Sequence, residues 1–158
     1  MFETVASVLK EKGKSRPASV APPTLVIDAV RTMNDKNIGA VLVLDDQKLE
    51  GILTERDVMS RVVGPGRDPA TTCVSQVMTT AVRCVELTSK IEDALRLMSD
   101  RRHRHLPVLE NGQVCGLVSI GDLTRCIIRT QQGRFDMAIQ AVKQLGMSNR
   151  RGTSRIDV

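Results

Sequence analysis

The sequence predicts a mixed α/β (α+β) fold made of two β-α-β-β-α repeats, and three observations support this prediction. The chain has 158 residues, 41% of them hydrophobic, which suits one compact unit or two very small ones. Residues 16–60 align with residues 81–125 without a gap, and ten of the 45 positions are identical. Each aligned stretch alternates apolar runs of strand length with segments of helical periodicity. Because such units often cannot bury a hydrophobic face alone, the duplication sets the fold prediction.

The first repeat predicts five elements in order. A short strand around Val20 precedes a helix at 25–36. Two apolar strands at 40–45 and 49–54 follow, and the polar turn between them predicts a hairpin. A second helix is predicted at 55–63.

The second repeat predicts the same five elements 65 residues later. A short strand around Val85 precedes a helix at 90–102. Strands at 105–109 and 114–119 form the second predicted hairpin, and a helix at 120–131 closes the unit.

The segments outside the repeats also carry signals. Residues 4–10 (TVASVLK) resemble residues 73–79 (CVSQVMT), and in both the valines are three apart, as one face of a short helix requires. Residues 64–72 are rich in Gly and Pro, which predicts a linker. A last helix is predicted at 135–145, where apolar residues recur at i, i+3, i+4 and i+7.

These signals divide the chain into three parts. We expect one repeat with its leading helix in 1–68 and the other in 69–132, followed by an extra helix and a basic tail in 133–158. Residues 129–158 carry six basic and two acidic side chains, so most of the net charge of +5 lies there. With so few apolar residues, the stretch 148–158 is predicted to be disordered.

Composition excludes several classes of function. The chain has two Phe and no Trp or Tyr, which disfavours the aromatic platforms that stack single-stranded nucleic acid. No apolar run approaches the ~18 residues that span a bilayer, and the N-terminal stretch lacks a signal-type apolar block, so we expect a cytoplasmic protein. No triad, acid pair or metal-ligand spacing is visible, which argues against an enzyme. The cysteines show no CxxC pair and are expected to be reduced: Cys73, Cys84, Cys115 and Cys126.

A short motif occurs at the end of the second hairpin strand in each repeat. It contains Gly51, Thr54 and Asp57 in the first repeat and Gly116, Ser119 and Asp122 in the second. Alone, such a Thr-x-x-Asp would be read as a helix cap that satisfies free backbone N–H groups. It could equally form a ligand site, because the hydroxyl can donate to a phosphate near a helix N-terminus and the Asp can accept from both hydroxyls of a ribose. The duplication favours a ligand site, and the two roles are compatible.

The two repeats resemble a tandem pair of cystathionine-β-synthase (CBS) domains, a Bateman module of the standalone type. The resemblance rests on TLVIDAVRTMNDKNIGAVLVLDDQKLEGILTERD and SKIEDALRLMSDRRHRHLPVLENGQVCGLVSIGD, and it covers roughly residues 4–132. It implies two units packed through their sheets with pseudo-twofold symmetry, and a homodimer. It also implies a regulatory module that binds an adenosine nucleotide and controls an unknown partner in trans. AMP is the first choice of ligand, followed by ADP, ATP or NAD(H), with S-adenosylmethionine also compatible.

The resemblance also assigns roles to single residues. Thr54, Asp57, Ser119 and Asp122 belong to the two ligand motifs. Arg104 and His105 would face phosphate, Pro107 would pack near the base, and Arg56 would reach phosphate across the pseudo-twofold axis. The first repeat has Gly39, Ala40 and Leu42 where the second has Arg104, His105 and Pro107. Its site is therefore expected to be weaker, empty, or completed by side chains of the other repeat.

A different class of function stays open at this stage. The chain could be an interaction or scaffold protein with vestigial nucleotide sites, whose basic tail docks an acidic partner or nucleic acid. Nucleic acid is the less favoured partner because the chain has only two Phe and no Trp or Tyr.

Overall fold

The computed structural model describes residues 4–13, 16–101 and 103–148. The elements follow the predicted order of two β-α-β-β-α repeats. The first repeat contains β1 (Ser19–Val20), α2 (Val26–Lys36), β2 (Ala40–Asp45), β3 (Lys48–Thr54) and α3 (Glu55–Val58), preceded by α1 (Val5–Lys12). The second contains β4 (Val85–Glu86), α4 (Ile91–Arg101), β5 (His105–Glu110), β6 (Gln113–Ser119) and α5 (Ile120–Ser148).

Each repeat forms its own three-stranded sheet, with the orders β1-β2-β3 and β4-β5-β6. The first pair of strands in each sheet is parallel and the second pair is an antiparallel hairpin. Both hairpins carry a bulge at matching places, between Val43 and Leu44 and between Val108 and Leu109. The duplication detected in the sequence is therefore repeated in the hydrogen-bond register.

The helices of the two repeats bury equivalent faces. In α2 the buried positions are Val26, Ala29 and Met33, and in α4 they are the residues 65 positions further on. Spacings of three and four residues place these side chains on one stripe of a helix. Burying a large aliphatic side chain contributes about 1.5–3 kcal/mol each, so an aliphatic core compensates for the scarcity of aromatic residues. The equivalent buried residues of α4 are Ile91, Ala94 and Met98.

The opposite faces of the two sheets pack against each other. Ala40, Leu42 and Ile52 of the first sheet form a buried cluster. Val114 and Leu117 of β6 pack against this cluster, so β3 and β6 lie together at the centre of the repeat pair. The hydroxyl-carboxylate motifs follow directly after these two central strands.

The segment that leads each repeat packs on the other repeat. Residues 73–79 pair with the first repeat, where the backbones of Ile52 and Thr79 exchange hydrogen bonds of 3.0 and 2.9 Å. The helix α1 lies on the second repeat, where the Val5 N–H donates to the Ser89 carbonyl at 2.9 Å. Each ligand motif therefore has a neighbour that lies far from it in sequence.

Four predicted helices differ from the structure in length, type or division. Residues 55–63 form α3 and then a π-helical turn at Met59–Val63, and residues 73–79 contain a single 3-10 turn at Val74–Gln76. The predicted helices at 120–131 and 135–145 are one continuous helix, α5. The predicted break was wrong because the segment between them contains Gly133 and no Pro, and one Gly costs only about 1 kcal/mol in a helix.

The chain divides into two compact units, Met1–Leu123 and Thr124–Val158. The first contains both sheets, and the second contains the remainder of α5. The boundaries predicted at 68 and 132 stay predictions, and most of the tail predicted to be disordered, 149–158, lies outside the described residues. No helix in the described ranges combines the length and hydrophobicity needed to cross a bilayer.

Candidate functional site

The motif of the first repeat forms a closed hydrogen-bonded ring at the start of α3. The Thr54 N–H and hydroxyl both donate to Asp57 Oδ2, at 2.9 and 2.7 Å. The Asp57 N–H in turn donates to Thr54 Oγ1 at 3.3 Å. This is a capping box, so the cap interpretation of the sequence is correct for the unliganded chain.

The motif of the second repeat makes the same ring at the start of α5. The Ser119 N–H and hydroxyl donate to Asp122 Oδ2 at 2.9 and 2.8 Å, and the Asp122 N–H donates to Ser119 Oγ at 3.2 Å. Because both rings follow equivalent strands, the two carboxylates occupy equivalent places in the repeat pair.

The second carboxylate oxygen of Asp57 faces the segment that leads the second repeat. The Thr79 hydroxyl donates to Asp57 Oδ1 at 3.1 Å, and Arg61 Nη1 lies 3.5 Å from the same oxygen. Arg61 is held mainly by the carbonyls of Val77 and Met78, at 3.0 and 2.8 Å. Asp57 is only 7% exposed, so its hydrogen bonds are largely shielded from water.

A cleft of about 220 Å³, which we call the first cleft, opens beside this motif. Side chains of both repeats and of the segment between them line it. They are Ile52, Thr54, Arg56, Asp57, Thr79, Ala81, Val82, Arg83, His103, Arg104 and His105. Three arginines and two histidines therefore surround a single buried carboxylate, which makes the first cleft suitable for a ligand that is both anionic and rich in hydroxyl groups.

The environment of His105 keeps its imidazole neutral near pH 7. Burial lowers the pKa of His105, and the nearby Arg104 guanidinium lowers it further, while Glu55 opposes this shift. Arg104 lies 3.9 Å from the Glu55 carboxylate, and both side chains are more than half exposed. Arg104 is therefore available to a ligand, since an exposed pair at this distance is weak.

A second cleft lies beside the motif of the second repeat. It is lined by Gly39, Glu55, Arg104, His105, Ser119, Ile120 and Gly121. The neighbouring Asp122 accepts a hydrogen bond from Lys12 of α1 at 2.9 Å. Burial by itself raises the pKa of Asp122, but Lys12 and the Ser119 N–H and hydroxyl outweigh it and hold the pKa below its usual value. The two clefts therefore differ: Glu55 is among the residues that line the second, and Lys12 is bound to its neighbouring carboxylate, Asp122.

The structure brings most of the predicted site residues together, and those lining the first cleft come from both repeats. Arg104 and His105 line both clefts, and Arg56 lines the first cleft beside its own motif. Pro107 is buried within β5 opposite Leu117 and lines neither cleft.

Several polar residues at the clefts were not predicted as site residues. Thr79, Arg83 and His103 line the first cleft, and Lys12 contacts Asp122 beside the second. The similarity of residues 4–10 and 73–79 was the available signal, since it marks both leading segments. The sequence could not show that each segment packs on the opposite repeat, which depends on tertiary pairing.

Comparison with known proteins agrees with the fold and with the repeat. The model of the CBS domain family matches residues 9–64 and 74–129, and the chain belongs to this family. Tandem CBS-domain proteins are generally regulatory or sensor modules that often bind adenosine ligands.

Individual relatives cover most of the chain. A mitochondrial CBS domain-containing protein of Arabidopsis thaliana, CBSX3, is 37% identical over 87% of this chain and 72% of its own length. The CBS domain-containing protein YhcV of Bacillus subtilis is 34% identical over 74% of this chain and 83% of its own. Among solved structures, a CBS-domain containing protein from Agrobacterium tumefaciens superposes with a TM-score of 0.74 at 35% identity, covering 78% of this chain and 98% of its own.

Proposed function

We propose that the protein is a nucleotide sensor that binds AMP, or a related adenosine nucleotide such as ADP, ATP or NAD(H), mainly in the first cleft. The observation that carries this proposal is the pairing of a buried carboxylate with a ring of cations. Asp57 lines the cleft, and so do Arg56, Arg83 and Arg104, which supply positive charge. A ribose phosphate has a matching arrangement, with hydroxyl donors at one end and an anion at the other.

The hydrogen bonds of Asp57 suggest how a ribose would be accommodated. A carboxylate has about four acceptor positions, and the Thr54 N–H and hydroxyl occupy the two on Oδ2. On Oδ1 the Thr79 hydroxyl takes one position, and Arg61 Nη1 lies 3.5 Å away, beyond ordinary hydrogen-bond distance, so one ribose hydroxyl can bind in the remaining position. The second ribose hydroxyl replaces that of Thr79, which can rotate away because its side chain needs only a change of rotamer.

The cations of the first cleft support a role in binding the phosphate. Arg104 and Arg83 both line the cleft, and Arg104 is 56% exposed. Neutral His105 lies beside Arg104 and could donate one hydrogen bond to phosphate, whose negative charge would favour protonation of the imidazole from solution. This arrangement supports the predicted phosphate roles of Arg104 and His105. The support is stronger for a phosphate in the first cleft than for one in the second.

We further propose that the chain has no catalytic activity, works inside the cell and regulates a partner in trans.

A homodimer is part of the same proposal. Met59 and Val63, in the segment after α3, are 70% and 68% exposed. Two exposed apolar side chains four residues apart form a candidate contact surface, and a second copy of the chain could bury them.

A thermal-denaturation panel tests the nucleotide proposal, with circular dichroism as the readout because the chain has no Trp or Tyr. AMP at 100 times its dissociation constant should stabilise the fold by about 2.7 kcal/mol. For a chain of this size, the melting temperature should rise by roughly 5–10 °C. R83A should reduce the shift by AMP, whereas R67A, which removes the same charge outside the cleft, should not.

The same panel separates the nucleotide sensor from the scaffold alternative. Short RNA and DNA oligomers should leave the melting temperature unchanged if the protein is a nucleotide sensor. A shift with oligomers and none with AMP, ADP, ATP or NAD would contradict the proposal and favour docking through the basic C-terminal part.

A further inference from the structure

We propose that Lys12 acts as an internal competitor in the second cleft, so that each chain binds only one nucleotide tightly. This inference rests on the proposed function, because it concerns the second of two equivalent ribose-binding carboxylates. Lys12 Nζ donates to Asp122 Oδ2 at 2.9 Å and to the Leu117 carbonyl at 3.0 Å. A ribose hydroxyl and this ammonium group are both donors, and both need the same carboxylate.

The helix that carries Lys12 is fixed on the second repeat. Its first turn is held by the N–H groups of Val5 and Ala6, which donate to the carbonyls of Ser89 and Leu87, each at 2.9 Å. Further along, Leu9 fills the space above Gly116, where an added Cβ would lie 2.5 Å from its Cδ1 atom. Lys12 is therefore held close to Asp122 by the packing of α1 and not only by its own charge.

The cation beside the first carboxylate competes less than Lys12, because Arg61 Nη1 lies 3.5 Å from Asp57 Oδ1 and donates instead to the carbonyls of Val77 and Met78. The contact to Asp57 Oδ1 from the leading segment comes from the neutral Thr79 hydroxyl, which rotation alone can remove. Displacing Lys12 breaks a charge-assisted hydrogen bond to a carboxylate that is 9% exposed. Because the Lys12 side chain is 44% exposed, the ammonium can still be displaced, so the lysine weakens the second site without closing it.

The charges at the second cleft also weaken the binding of an anionic nucleotide there. Arg104 contributes the only guanidinium or ammonium group among the described lining residues of this cleft, and Glu55 adds a carboxylate to the same lining. An anionic ligand therefore gains less there than in the first cleft, and it must also displace Lys12.

The test measures AMP binding by isothermal titration in a D57N background, where the first cleft is weakened and the second can be seen. K12M should tighten the remaining binding about tenfold, the value of one charge-assisted contact of ~1.4 kcal/mol. K10M is the matched control, because it removes the same charge from the same turn of α1 and should change nothing. In the chain with Asp57 intact, K12M should raise the stoichiometry from one AMP per chain towards two. Removing a lysine normally weakens the binding of an anion, so unchanged or weaker binding in K12M would overturn the proposal.

A second measurement needs no nucleotide. Acetylation of the lysines is followed by mass spectrometry in the wild type and in D122N, whose amide oxygen can still accept from Ser119. D122N should increase the labelling rate of Lys12 severalfold and leave Lys10 unchanged, and equal rates would overturn the Lys12 proposal. If AMP binds neither the wild type nor K12M, the proposed function fails, and the labelling result alone decides whether Lys12 holds Asp122.

Discussion

Replacing Asp57 by Ala should destabilise the unliganded protein, and the structure gives the size of the effect. The substitution removes the acceptor for the Thr54 N–H, the Thr54 hydroxyl and the Thr79 hydroxyl. Loss of a helix cap costs about 1 kcal/mol. Loss of the Thr79 bond to a buried charged acceptor adds about 1–2 kcal/mol. We therefore expect D57A to reduce the free energy of unfolding by about 2–3 kcal/mol.

Urea denaturation followed by far-UV circular dichroism measures this change. In a thermal scan of the same variant, the melting temperature should fall by roughly 5–10 °C, because each kcal/mol corresponds to about 2–4 °C in a chain of this length. D35A provides the control, because Asp35 is exposed on α2 and its loss should cost less than about 0.5 kcal/mol. If D57A were as stable as D35A, the capping ring would contribute nothing, and our account of the motif would be wrong.

Three further predictions concern pH, assembly and the tail. A bound phosphate should raise the lowered pKa of His105, so binding takes up a proton and AMP affinity increases from about pH 8 towards pH 6. H105N should flatten this dependence of AMP affinity on pH. Because AMP itself titrates equally in both experiments, the difference between wild type and H105N reports His105 alone. Equal pH profiles for the two proteins would show that His105 does not respond to the phosphate. Light scattering should give about twice 17.3 kDa for the wild type and a monomer for the double variant M59E/V63E, and a monomeric wild type would contradict the dimer. Deleting residues 148–158 should leave the thermal shift by AMP unchanged, and its loss would place part of the site in the tail.

The sequence predicted the fold well because the duplication requires both repeats to share the same elements, buried faces and strand register. The identical offset of 65 residues recurs in the buried faces of α2 and α4 and in the bulges of both hairpins. Family membership and the mixed α/β repeat architecture were confirmed by the comparisons. Local periodicity was less informative beyond the second repeat, where the helices predicted at 120–131 and 135–145 form the single helix α5.

The site was only partly predictable, because its residues come from distant parts of the chain. The motif residues Thr54 and Asp57 are close in sequence, and their spacing alone predicted the cap that the structure shows. Arg83 and Thr79 reach the first cleft only because the leading segment of the second repeat packs on the first repeat. The contact between Lys12 and Asp122 spans 110 residues, and no local pattern could have indicated it.

The most direct test of the central claim is isothermal titration of AMP and of adenosine into the wild type and R104A. Arg104 is proposed to contact phosphate only, while Asp57 binds the ribose that both ligands share. We expect AMP to bind the wild type, and R104A to weaken AMP about tenfold while leaving adenosine within about twofold. No saturable AMP binding by the wild type at millimolar concentration, or an equal loss for adenosine in R104A, would contradict the account.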